Sequence, residues 1–163
     1  MNTKGIFLTA IITGFIFLAS GNGYSQQIPN LKLTSLQGEQ FRLQEFTSET
    51  PVMINFWSLT CAPCKREMRH LDAFEKQYEN FKVVSINIDT PKSLARVKSY
   101  VQTNDYSFQV FLDPEQQIFQ KLGGRLMPYS IFVDQGGVII SRHVGYAPGD
   151  EKKYAKTIQS LTE

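Results

Sequence analysis

Apolar stretches separated by polar turns divide the chain into a succession of short elements. The longest apolar run, Ile6 to Ala19, follows Lys4 and precedes the small, polar segment Ser20 to Ser25. A positive start, an apolar stretch and then small residues is the layout of a secretory signal. Residues 1–25 are therefore expected to be a leader, cleaved after Ser25 or after Gly21. The run is short against the roughly 20 residues of a membrane span, and a retained anchor is the alternative. Either way, residues 26–163 would form one domain outside the cytoplasm, in the periplasm or at the cell exterior, where disulfides persist.

Within that domain, Leu31 and Leu33, then Phe41 and Leu43, alternate with polar residues on either side of Gln37-Gly38. This pattern predicts two strands joined by a turn. The Phe46 region leads to a boundary at Pro51. Val52 to Leu59 is almost continuously apolar, as in a strand covered on both faces. Met68, Leu71, Phe74 and Tyr78 recur at helical spacing and predict a helix from Cys64 to about Tyr78. Pro63 is tolerated at its start, where a missing N–H costs nothing. A strand over Phe81 to Ile88 follows, then a helix from Lys92 to Val101, a strand from Phe108 to Leu112 and a helix from Asp113 to Leu122. Tyr129 to Val133 and Val138 to His143 form a hairpin pair across a glycine-rich turn, and a helix over Glu151 to Leu161 closes the chain. The order predicts an α/β fold: a central mixed β-sheet flanked by helices, with an N-terminal β-hairpin extension.

Charge narrows the function. Seventeen Lys and Arg against fifteen Asp and Glu leave +2, with no long basic run, so nucleic acid is not an expected partner. No glycine-rich phosphate loop follows any strand. Two cysteines and two histidines exclude a disulfide-dense scaffold and a four-cysteine zinc site. No cofactor or metal is implied.

The two cysteines, Cys61 and Cys64, lie three positions apart where an apolar strand becomes a helix. The free N–H groups of a helix N-terminus favour a thiolate there. Cys61 can attack a disulfide and Cys64 can resolve the product, while Ala62-Pro63 keeps the turn stiff. Alternatives are a pair of buried structural cysteines, half of a metal site, and a thiol peroxidase of peroxiredoxin type. The last would place proline and threonine seven and three residues before the cysteine, where this chain has Ile54 and Ser58. Copper delivery fits less well, because the cysteines are one residue closer than a CxxxC pair. Glu67, three residues beyond Cys64, falls on the helix line of Leu71 and Phe74. A carboxyl buried there would have a raised pKa and could move the protons of exchange. The alternative is a first-turn glutamate facing water. Lys65, Arg66 and Arg69 form a basic cluster read mainly as a solvated face.

Asn55-Phe56-Trp57-Ser58-Leu59-Thr60-Cys61-Ala62-Pro63-Cys64, together with Glu67, resembles the active-site segment of the thioredoxin superfamily, in its TlpA/ResA-like extracytoplasmic branch. The opening hairpin and the extra strand and helix over Val83 to Val101 fit the same branch. Met127-Pro128 before Tyr129 matches the family's cis-proline. Leu59-Thr60 and Gly123-Gly124-Arg125-Leu126 depart from its common pattern. The resemblance implies a thioredoxin-like fold and a thiol-disulfide oxidoreductase with a Cys61–Cys64 redox disulfide. It implies Glu67 as the proton-handling group, and Trp57, Ala62, Pro63, Met127 and Pro128 as the surface that meets substrate. It further implies disulfide-bearing partner proteins and a membrane-spanning thiol electron donor. The direction it favours is reduction, in cytochrome c maturation or general thiol maintenance. A non-catalytic thioredoxin-like binding domain is the alternative from another class.

Overall fold

The computed structural model describes residues 26–163. The leader expected at 1–25 lies outside the described residues. Strands β1 (Lys32–Ser35) and β2 (Gln40–Arg42) are followed by α1 (Leu43–Glu49), β3 (Val52–Trp57), α2 (Ala62–Gln77) and β4 (Lys82–Asn87). Then come α3 (Leu94–Asn104), β5 (Gln109–Leu112), α4 (Gln117–Lys121), β6 (Tyr129–Val133), β7 (Ile139–Val144) and α5 (Asp150–Thr162). All seven strands join one sheet in the order β2-β1-β5-β4-β3-β6-β7. Strands β3, β4 and β5 run parallel, and the flanking pairs are antiparallel. This is the expected thioredoxin-like α/β fold, with the N-terminal hairpin added at the β5 edge.

The alternation of β3 divides the core in two. All six of its residues are buried, because helices cover both faces of the sheet. Val52, Ile54 and Phe56 join Leu43 of α1, Phe119 just inside α4, and Tyr129, Ile131 and Val133 of β6 on one face. Met53 and Trp57 point the other way, into a cluster with Cys64, Met68 and Leu71 of α2, Val97 of α3 and Ile158 of α5. The helix that begins at the cysteines thus packs on the centre of the sheet.

Several boundaries differ from the sequence expectation; α3, for one, runs Leu94–Asn104 rather than Lys92 to Val101. Leu43 is not the end of a strand but the first residue of α1, a short helix not foreseen. Leu43 and Thr47 are its only buried residues, too few to register as a helical period. Glu45 fixes its start by accepting a hydrogen bond from the Arg42 N–H at 3.2 Å. Helix α2 begins two residues earlier than expected, at Ala62, with Pro63 in its first turn. Helix α4 starts at Gln117 rather than Asp113, because Gln116 adopts a left-handed backbone; the buried Asp113 carboxylate, upstream of the helix, accepts the Phe119 N–H at 2.8 Å.

The Gly123-Gly124 stop after α4 has a packing reason. A Cβ at Gly124 would collide with the Phe119 ring, so only glycine allows the chain to turn back against α4 and enter the loop before β6.

Phe56 stacks among Phe119 and Tyr129, with ring centroids 5.2 and 6.0 Å away. Phe56→Ala is expected to destabilise the domain by about 3–5 kcal/mol through a cavity on this face. Urea unfolding should show a lower midpoint with an unchanged slope.

Candidate active site

The chain leaves β3 at Trp57 and must turn into α2 within four residues. Asp89, just beyond β4, holds that turn. Its carboxylate accepts the Leu59 N–H at 2.7 Å and the Asn87 side-chain amide at 2.8 Å. The Cys61 N–H then donates to the Ser58 carbonyl at 3.2 Å. Cys61 is the residue that caps α2: its sulfur accepts the Cys64 N–H at 3.2 Å. Cys61 and Cys64 are joined in a disulfide. Cys61 is half-buried and Cys64 has 0% exposure, so only one sulfur faces a partner. On reduction, the N–H and dipole of the first turn are already aimed at the outer sulfur.

One turn further along α2, Glu67 is completely buried, with no cation on its carboxyl among the described residues. Three neutral donors surround it. The Asn55 amide donates to Oε2 at 2.7 Å, and the Ser130 and Tyr154 hydroxyls donate to Oε1 at 2.9 and 2.8 Å. They come from β3, β6 and α5. Burial pushes the Glu67 pKa up to about 7, against these hydrogen bonds, which pull it down. Tyr154 is itself held far above the ordinary phenol range by burial and by the Glu67 charge, so it remains a donor.

Asn55 and Ser130 were not foreseen in this role. Their signal lay in the strands: each is a lone polar residue inside an apolar run. Asn55 stands opposite Ser130 on one side and Ser85 on the other, which places a polar row across the centre of the sheet beneath α2. Tyr154, on the buried face of α5, carried no such signal.

The Met127–Pro128 peptide is cis. The Pro128 carbonyl accepts the Gly145 N–H at 2.8 Å, tying the loop before β6 to the end of β7. Leu126 and Val144 flank this tie and are 69% and 57% exposed, an apolar rim beside a cleft loop. Ala62 is exposed, Pro63 and Met127 are half-buried, and Pro128 is buried. Trp57 requires a correction. It has 0% exposure and packs on Tyr100 with centroids 5.5 Å apart, so it lies under the site and not on the surface that a partner touches. As the last residue of β3 it points inward, into the same cluster as Cys64.

A surface sulfur bonded to a buried one at the start of α2, on this sheet order, defines a thioredoxin-fold thiol-disulfide oxidoreductase. The AhpC/TSA family profile matches residues 24–142, and the chain belongs to that family. It is similar to the thiol-disulfide oxidoreductase ResA of Bacillus cereus, 26% identical over 163 residues and 94% of each chain. It is also similar to the thioredoxin-like protein YneN of Bacillus subtilis, 32% identical over 122 residues, covering 74% of this chain and 71% of the other. Among solved structures it shares its fold with a Chlorobium tepidum protein assigned as a thiol:disulfide interchange protein DsbE. The TM-score is 0.79 at 23% identity, over 85% of this chain and 97% of that one.

Because folding raises the Glu67 pKa from 4.5 to about 7, the folded state holds its proton more tightly than the unfolded state does. Stability tied to this group is fully present below about pH 4.5 and is lost as pH rises through about 7. The loss across that window is on the order of 3 kcal/mol. Urea unfolding from pH 4 to pH 8 should show this decline in the native protein and a flatter curve in Glu67→Gln.

Proposed function

We propose that this enzyme reduces disulfides in partner proteins outside the cytoplasm. The observation that carries the reading is the asymmetric sulfur pair, one accessible and one buried, at the N-terminus of a helix whose next turn holds a carboxyl that titrates near neutrality. In the reduced enzyme the Cys61 thiolate attacks one sulfur of the partner disulfide, and the other partner sulfur leaves and takes up a proton. Cys64 then gives up its proton and attacks the Cys61 sulfur. The Cys61–Cys64 disulfide forms, and the second partner sulfur is released. Two electrons pass to the partner, which ends as a dithiol. Glu67 is the group we assign to accept the Cys64 proton, since a base poised near the working pH transfers protons most effectively.

Met127, with Ala62 and Pro63, forms the contact surface in this reading, and the buried Pro128 sets the backbone behind it. No other described residue hydrogen-bonds to the peptide groups of Met127, which leaves them for an extended partner segment. The spent disulfide must be reduced again, and outside the cytoplasm this calls for a membrane-spanning thiol donor. ResA-type relatives and the leader expected at 1–25 support the location. Reduction of an apocytochrome c disulfide, or general thiol maintenance, is the role we assign.

The AhpC/TSA match favours one rival, a thiol peroxidase. Ile54 and Ser58 occupy the positions where that chemistry would place proline and threonine, so Cys61 alone, in Cys64→Ser, is expected to leave hydrogen peroxide unconsumed. The same variant should accumulate mixed disulfides with partner proteins on non-reducing gels, whereas Cys61→Ser should form none and turn nothing over. Adducts on Cys64 instead would reverse the order of attack. The direction is tested by titrating the Cys61–Cys64 pair against dithiothreitol at pH 7. A potential near about −270 mV fits a reductase, and one near about −120 mV would make the protein an oxidant.

A further inference from the structure

Helix α2 carries more than the sulfurs and Glu67. Its outer face presents Lys65, Arg66 and Arg69, four, five and eight residues beyond Cys61. Three carboxylates elsewhere on the surface are paired: Asp72 with Lys76, Glu75 with Lys82, and Asp150 with Lys153 and His143. Lys65 lies over the Tyr100 ring, 4.9 Å from its centroid. Arg66 and Arg69 are exposed, and among the described residues neither guanidinium has a hydrogen-bond acceptor or a carboxylate partner.

These two arginines also line a groove of about 310 Å³ with His70, Tyr146, Pro148 and Glu151. The opposite wall is rigid. The Tyr146 hydroxyl donates to Glu151 at 2.8 Å, and the Gly149 N–H donates to the same carboxylate oxygen at 2.8 Å. Glu151, in the first turn of α5, is thus occupied by the loop that precedes the helix, although its charge also faces the groove. Both walls lead back to the sulfurs. Arg66 is two residues beyond Cys64, and Tyr146 follows Gly145, whose N–H is bonded to the Pro128 carbonyl. The groove is therefore tied, through α2 on one wall and through Gly145 and Pro128 on the other, to the elements that carry Cys61 and Met127.

We propose that the Arg66–Arg69 groove docks an acidic segment of the partner polypeptide, adjacent in sequence to the disulfide being exchanged. The inference rests on the reading of the site as a protein-disulfide reductase. Two unpaired guanidinium groups on one rigid helix offer forked donors that match carboxylates. The stretch lies at the rim of the contact, so its effect falls on association rate and on choice of partner.

The test uses the reduced protein, freed of reductant, and three peptides of equal length. Each contains one intramolecular disulfide, flanked by glutamates, glutamines or lysines. Single-turnover rates are measured at low and high salt, with hydroxyethyl disulfide as a small neutral control. The glutamate peptide should react at least about tenfold faster than the lysine peptide at low salt, and the gap should close at high salt. R66E/R69E should abolish or invert the preference, and R66Q/R69Q should reduce it, with hydroxyethyl disulfide reacting at the native rate in both.

Equal rates for the three peptides would overturn the docking proposal while leaving the reductase reading intact. It would also fall if the double variants slowed hydroxyethyl disulfide as much as the glutamate peptide, since the arginines would then act on the thiolate. Failure of the native protein to reduce any of these disulfides would remove the reductase reading itself, and the docking proposal with it.

Discussion

A carboxyl group without a cation, taken out of water at the centre of a sheet, must be satisfied by neutral donors or it does not stay. Glu67 meets that condition through Asn55, Ser130 and Tyr154, which belong to three different elements. Their convergence fixes the rotation of α2 about its axis, the spacing of β3 and β6 beneath it, and the docking of α5 alongside. The sulfurs inherit their placement from this arrangement. Rotating α2 enough to release Glu67 would also move Cys64 out of the cluster with Met53 and Trp57. The same burial that makes Glu67 costly to ionise brings its titration into the range where thiols exchange. Structure and chemistry draw on one interaction.

The loop before the cysteines depends on a second, smaller constraint. Its backbone is tied by Asp89 on one side and by the Ser58 carbonyl on the other. Cys61 is therefore presented by a fixed turn, and a partner must come to it. The cis Met127–Pro128 loop is held in a similar way through Gly145. The two loops that meet at the sulfurs are each anchored to neighbouring strands.

Most of the architecture was legible in the residues. The apolar run of β3, the spacing of α2 and the glycine-rich turn between β6 and β7 read correctly, because each is a strong periodic or turn signal. Helix α1 was not legible, since seven residues with two buried positions leave no period to detect. At the site, the cysteines and Glu67 could be named from spacing and resemblance. Asn55 and Ser130 could not be assigned a partner, because their meaning lies in strand register and not in local sequence. Trp57 was placed on the wrong side of the surface. Its position beside the motif suggested contact with a partner, whereas strand parity directs it into the core.

That parity has a consequence for how the protein tolerates change. Even-numbered residues of β3 join the apolar cluster on one face, whereas odd-numbered ones join the cluster of the inner sulfur and the polar row. Two adjacent codons in this strand therefore answer to different selective demands. Drift on either set alters how firmly the protein is folded, and drift on the odd-numbered set also reaches the surroundings of Cys64 and Glu67. Changes at Met53, Asn55 or Trp57 reach the inner sulfur and the buried carboxyl most directly, whereas changes at Val52, Ile54 or Phe56 act first on the packing of the opposite face.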